Sequence, residues 1–261
     1  MSDRIRIDEA GDGVAVLTLD RREALNAFDT EMGRQMLDLF GRTLRDRQDV
    51  RCVVVTGAGD TSFSVGGDLK ERKSFTNDEW RVQHAMFREA FEALWRFPWP
   101  TIAAVNGYAM GGGCELALGC DFIYAVEEAV FALPEIRLGI MPGAGGTQLL
   151  PRAMSQRVAR ELIYTGRRFS AEEACGWGMV NRVLPASELL PAAIETAKAI
   201  AANAPLSLQG AKRSIDHGLQ TDIATAMALE VSIHQRLAVS QDRVEGIAAF
   251  NEKRAPQWRG R

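Results

Sequence analysis

Thr101-Ile102-Ala103-Ala104-Val105-Asn106-Gly107-Tyr108-Ala109-Met110-Gly111-Gly112-Gly113-Cys114-Glu115-Leu116-Ala117 is the stretch whose reading decides the fold. Its first five residues are an uncharged, largely apolar run, which predicts a buried strand. Three glycines then lead into an apolar segment that carries one carboxylate, Glu115. Glycines let another group approach the main chain, and a helix N-terminus at that point aims N–H donors at developing negative charge. A second carboxylate, Glu135, follows Pro134 and precedes Gly139, Gly143, Gly145 and Gly146. Two carboxylates beside exposed amides suit acid/base chemistry that passes through an enolate.

Outward from this stretch, Val14 to Leu19, Arg51 to Thr56, Asp121 to Val126 and Val180 to Val183 read as further strands, alternating with helical segments. That alternation predicts an α/β protein with a largely parallel, buried sheet. Asp29 is placed to cap a helix whose apolar face is Met32, Met36, Leu39, Phe40 and Leu44. Thr76-x-x-Glu79 and Ser170-x-x-Glu173 are capping boxes, and the helix from Thr76 carries Trp80, Phe87, Phe91 and Leu94 on one face before Pro98 and Pro100. From about Pro185 the pattern is helical, with Ala204 to His217, Thr221 to Leu237 and Asp242 to Phe250 as successive helices. Residues 1–200 are thus expected to form a core with the site, and 201–261 a helical oligomerisation region in which part of the face carrying Ile223, Met227, Leu229 and Ile233 covers either another subunit or the chain's own core.

The 261 residues are 46% hydrophobic, enough for a sizeable core, and carry a formal net charge of −3. That balance gives no global field for nucleic acid or anionic membrane. The start, Met1-Ser2-Asp3-Arg4-Ile5-Arg6, has no apolar leader and no later run is long enough to span a bilayer, so a cytoplasmic location is expected. Cys52, Cys114, Cys120 and Cys175 form no C-x-x-C pair and read as reduced, mostly buried thiols, and the scattered His84, His217 and His234 suggest no metal site. After the strand at Val53, Gly57-x-Gly59 lacks the third glycine of a dinucleotide fingerprint, since Ser62 stands there. No P-loop occurs.

The chain resembles the crotonase superfamily, specifically the enoyl-CoA hydratases. The resemblance rests on Ala24-Leu25-Asn26-Ala27, Phe63-Ser64-Val65-Gly66-Gly67-Asp68-Leu69-Lys70, the stretch from Ile102 to Ala117, Phe131-Ala132-Leu133-Pro134-Glu135, Leu138 to Thr147 and Phe250-Asn251-Glu252-Lys253-Arg254, in that order. It implies a crotonase (ClpP-like) fold, a spiral of ββα units with a C-terminal helical trimerisation region, assembled as a trimer or a dimer of trimers. It also implies a trans-2-enoyl-CoA substrate hydrated to the 3-hydroxyacyl-CoA, with no cofactor because coenzyme A is part of the substrate.

Residue by residue, the resemblance places an oxyanion hole on the N–H groups of Gly67 and Gly112, a water-activating base at Glu115 and a proton donor at Glu135. Gly143 would help to position the water. Ala24, Leu25, Val65, Asp68, Leu69 and Lys70 match positions near the coenzyme, and Phe250 and Lys253 match positions that reach it from a neighbouring subunit. Two departures stand out. Gly67 occupies a place where many hydratases carry alanine, and Arg21-Arg22-Glu23 replaces a common Arg-Pro-Lys, leaving Arg22 to supply the basic group. The depth of the acyl pocket falls to the stretch from Arg72 to Phe87, where Phe75, Trp80 and Met86 are either pocket wall or helix core. Rival readings are a Δ3,Δ2-enoyl-CoA isomerase, which manages with one glutamate, a hydratase for branched or carnitine-derived acyl-CoAs, and an RNA-binding or scaffold relative. Retention of both glutamates counts against the first and last, and the acidic composition counts further against RNA.

Overall fold

A computed structural model describes residues 3–261; Met1 and Ser2, the first residues of the segment read for a leader, lie outside them. In chain order the elements are β1 (Ile5–Gly11), β2 (Val14–Leu19), α1 (Thr30–Asp38), β3 (Cys52–Gly57), β4 (Ser62–Ser64), α2 (Leu69–Arg72), α3 (Asn77–Trp95), β5 (Thr101–Val105), β6 (Tyr108–Met110) and α4 (Gly112–Gly119). There follow β7 (Phe122–Val126), β8 (Val130–Ala132), α5 (Gly146–Ala153), α6 (Gln156–Thr165), β9 (Phe169–Ser170), α7 (Ala171–Gly176), β10 (Arg182–Leu184), α8 (Ala186–Ala201), α9 (Pro205–Gly218), α10 (Ile223–Ala238) and α11 (Gln241–Glu252).

Two sheets share the strands. The larger has the order β1-β2-β3-β5-β7-β10 and is parallel except for the β1/β2 hairpin, while the smaller runs β4-β6-β8-β9. The chain visits the sheets alternately, β3 then β4, β5 then β6, β7 then β8, with a helix after the first two pairs and a 3₁₀ turn and helix after the third. This is the spiral of ββα units that the resemblance implies. Every residue of β2, β3 and β5 is buried, as expected of parallel strands covered on both faces. One cover is α8, whose Leu189, Ala193, Ala197 and Ala201 share a stripe and are buried against the sheet.

Local signals act as read. The Asp29 carboxylate accepts from the Met32 N–H at 2.8 Å, and both capping boxes are formed. The helix from Asp29 ends earlier than its apolar face suggested: one wider π-helical turn, Leu39–Thr43, follows α1 and leaves Phe40 and Leu44 fully buried. The strand expected at Val180–Val183 begins two residues later, because the Met179 and Val180 N–H groups both donate to the Ala174 carbonyl and close the end of α7. Among the described residues no helix is long and apolar enough to cross a membrane.

Beyond α8 the chain is helical. α10 packs mainly on α9, and Ile223, Met227 and Val231 are exposed on it. Lys212 of α9 pairs with Asp121 of the core, and the Trp258 indole N–H donates to the Ala202 carbonyl at 2.7 Å, so both ends of the helical region are tied down.

Candidate functional site

The site lies where the second strand of two successive ββα units passes into its helix. Gly66 has φ +81°, and a Cβ there would stand 2.7 Å from the Gly112 nitrogen, so only glycine lets the turn after β4 lie against the start of α4. The Phe28 N–H donates to the Gly66 carbonyl and the Asp68 N–H to the Phe28 carbonyl, a bridge that spans Gly67 and leaves its N–H with no protein acceptor among the described residues. Gly112 opens α4, whose first N–H groups lack intrahelical partners. A Cβ on Gly112 would lie 3.8 Å from the Gly67 nitrogen, which puts the two free donors side by side.

The turn is held from behind. Asn26, buried and at φ +55°, donates to the Ala58 and Ser62 carbonyls and accepts from the Arg21 N–H, while the Ser64 hydroxyl donates to the Asn26 carbonyl. Asp68 caps α2 through the Lys70 and Glu71 N–H groups, and its other oxygen pairs with Arg21 at 2.7 Å. Its carboxylate is therefore committed to the loop. That pairing and the helix-cap bonds outweigh burial and hold Asp68 below the usual carboxylate range.

Glu115, in the first turn of α4, is almost wholly buried, and its Oε1 accepts from the Ala144 and Gly146 N–H groups, both at 2.8 Å. Burial raises its pKa and the two amides partly restrain the rise. Glu135 heads a 3₁₀ turn, Glu135–Leu138, and lines the same cavity. Its Oε2 is buried without a hydrogen-bond partner, and burial, reinforced by the Glu115 charge, pushes it up to about 7. One carboxylate is thus anchored by two amides, while burial shifts the other toward its protonated form. With two free N–H donors nearby, the arrangement can take a proton at one carboxylate, give one at the other and stabilise charge on an oxygen between them.

The cavity has a volume of 180 Å³. Glu115, Glu135, Gly67, Gly112, Gly143, Val65 and Leu69 of the sequence-predicted residues line it, whereas Ala24, Leu25, Asp68, Lys70, Phe250 and Lys253 do not. Ala24 ends a short 3₁₀ turn, Leu25 follows it at φ +53° and exposed with its carbonyl accepting from the Ser62 hydroxyl, and Lys70 is exposed on α2. Arg22 is exposed, whereas Arg21 is turned inward to Asp68 and Asp29. Phe250 is exposed on α11, and Lys253 ends that helix in a left-handed conformation.

Further residues complete the wall. Gly143 packs on His84, where a Cβ would meet the ring at 2.5 Å, and the amides that bind Glu115 are those of Ala144 and Gly146. His84 stacks on Trp80 with ring centres 5.1 Å apart; burial and the charges of Arg72 and Arg88 lower its pKa. Trp80 is therefore cavity wall, while Phe75 and Met86 are not, and Met86 packs against the core. Arg72 also lines the cavity. Neither Arg72 nor His84 carries a local pattern that marks it, because α2 and α3 bring them together only on folding.

Two carboxylates in one cavity beside two free N–H donors, built where two ββα units meet, make an arrangement suited to acid/base chemistry through an enolate. Residues 9–261 match the enoyl-CoA hydratase/isomerase family. The chain is 40% identical over 241 residues to a short-chain-enoyl-CoA hydratase of Clostridium acetobutylicum, covering 92% of each chain. It is 38% identical over 246 residues to a crotonyl-CoA hydratase of Syntrophomonas wolfei, covering 94% of each. A crystal structure of an enoyl-CoA hydratase from Bacillus anthracis superposes with a TM-score of 0.97 at 40% identity, over 99% of this chain and 100% of that one. The protein belongs to the enoyl-CoA hydratase/isomerase, or crotonase, family and has its fold.

Proposed function

We propose that the protein is an enoyl-CoA hydratase, a hydro-lyase that adds water reversibly across the 2,3 double bond of a trans-2-enoyl-CoA. The observation that carries this reading is that one cavity holds two carboxylates in unlike states: Glu115 bonded to two amides, and Glu135 with a buried, unpartnered oxygen and a pKa pushed up to about 7. The thioester oxygen is held by the Gly67 and Gly112 N–H groups, which strengthen their bonds as charge moves onto it; one such donor is worth ~3 kcal/mol in the transition state. Glu115 takes a proton from water as the oxygen of that water bonds to the β-carbon. Glu135 gives its proton to the α-carbon. Turnover leaves Glu115 protonated and Glu135 ionised, and one proton exchange resets the pair.

Apolar residues at the rim, Leu69, Leu138, Ile140 and Met141, are exposed and suit an acyl chain and its thioester arm. Ala24, Leu25, Val65 and the backbone around Asp68 and Leu69 form the coenzyme side, with Lys70 and Arg22 as its cations. Residues 1–200 act as the core and 201–261 as the oligomerisation region of a cytoplasmic trimer or dimer of trimers, in which Phe250 and Lys253 reach a neighbouring subunit's coenzyme. Incubation with crotonyl-CoA in isotopically labelled water tests the reaction type. Label bound at the β-carbon of a 3-hydroxybutyryl-CoA is expected; migration of the double bond of a 3-enoyl-CoA, with no hydration of crotonyl-CoA, would make the protein an isomerase.

A further inference from the structure

Arg72 brings a half-buried guanidinium, with Glu71 as its neighbouring negative charge, to a cavity walled mainly by apolar side chains. Its Nε donates to Gln83 Oε1 at 2.7 Å, but neither Nη has a protein acceptor among the described residues and no carboxylate lies within the 4.0 Å of an ion pair. The acidic residue next to it in sequence is already used: Glu71 accepts from the Thr30 N–H at 3.0 Å and from Gln83 Nε2 at 2.8 Å. Gln83 also donates to the Thr30 hydroxyl, so its carbonyl is fixed toward Arg72. The guanidinium carbon sits 5.5 Å from the centre of the Trp80 ring and 5.4 Å from that of Phe87. Gly67 makes the room, since a Cβ there would stand 3.0 Å from that carbon and from Nη1.

A half-buried guanidinium with a fixed Nε and two free Nη groups is a preorganised fork for a carboxylate, and a neutral acyl chain does nothing to offset its desolvation. We propose that Arg72 recognises a carboxylate on the acyl group, so that the preferred substrates are enoyl-CoA monothioesters of dicarboxylic acids. This rests on the hydratase reading above. Charge-assisted hydrogen bonds of this kind are worth roughly 10- to 100-fold in specificity.

The test compares kcat/KM for glutaconyl-CoA and pent-2-enoyl-CoA, which share a chain length and differ in the terminal carboxylate, in the wild type, Arg72→Met and Arg72→Lys. The wild type is expected to favour glutaconyl-CoA. Arg72→Met should reduce the ratio of the two specificity constants by roughly 10- to 100-fold, chiefly by loss on glutaconyl-CoA, and Arg72→Lys should restore part of it. A wild type that favours pent-2-enoyl-CoA, or an Arg72→Met that raises KM equally for both, would overturn the proposal, the second by assigning Arg72 to the coenzyme moiety. If neither thioester is hydrated, the hydratase reading fails, and calorimetry with glutaryl-CoA and pentanoyl-CoA still decides: tighter glutaryl-CoA binding that Arg72→Met abolishes supports the carboxylate site, and equal affinities refute it.

Discussion

Replacing Glu135 by glutamine should make the protein more stable at alkaline pH while disabling it. In the folded chain burial and the Glu115 charge move the Glu135 carboxyl from 4.5 to about 7. Between those values the folded state holds a proton that the unfolded state has lost, so stability falls as pH rises through the window and the full cost stands above about 7. At about 1.4 kcal/mol per pH unit the cost is about 3 kcal/mol. Solvent reaching the half-buried side chain reduces the usable figure to about 1–2 kcal/mol. Glutamine keeps the shape and cannot ionise. Urea denaturation of wild type and Glu135→Gln at pH 5 and pH 8, at one protein concentration because assembly is linked to stability, isolates the effect. The stability difference between the two proteins is expected to shift in favour of the variant by about 1–2 kcal/mol from the lower to the higher pH. A difference that does not change with pH, or that moves the other way, would refute the claim that Glu135 is held neutral by the fold.

The same protonation should appear in catalysis: kcat/KM for hydration is expected to decline as pH rises through about 7, and a rate that climbs through that range would mean that Glu135 is not the acid. Gly113→Ala would place a Cβ 2.0 Å from the Ser64 carbonyl oxygen, where α4 crosses β4, and is expected to cost about 3 kcal/mol or more, read as a lower urea midpoint or loss of soluble protein. Asn26→Ala strands the Ala58 and Ser62 carbonyls and the Arg21 N–H behind the Gly66-Gly67 turn; a loss of about 2–4 kcal/mol with a lowered kcat is expected, and an unchanged melting temperature would show that water replaces the side chain.

What could be read before folding was what local chemistry determines. The apolar runs at Val14, Cys52, Thr101 and Phe122 are buried parallel strands, and Asp29, Thr76 and Ser170 cap the helices they precede. The second sheet could not be read from residue patterns, because its strands are two or three residues long and pair only through the spiral. β1 shows no apolar run, because Arg6, Asp8 and Glu9 interrupt Ile5 and Ile7, the polar alternation of an edge strand. In the site, Glu115 was visible as a first-turn carboxylate behind three glycines and Glu135 as a carboxylate ahead of a glycine-rich stretch, but the burial of Glu135 in a 3₁₀ turn was not. Glu135 packs against Gly111 at the start of α4, and the Nε of Arg72 is held by Gln83 of α3, both contacts across elements.

The central claim is that Glu115 and Glu135 together add water to an enoyl thioester. Its most direct measurement is the loss of enoyl-thioester absorbance from crotonyl-CoA with wild type, Glu115→Gln and Glu135→Gln, alongside their melting temperatures. Rapid loss with the wild type, reduced by at least about 100-fold in each folded variant, is the expected result. Wild-type rates in either variant, or an inactive wild type on short and long enoyl-CoAs alike, would contradict it.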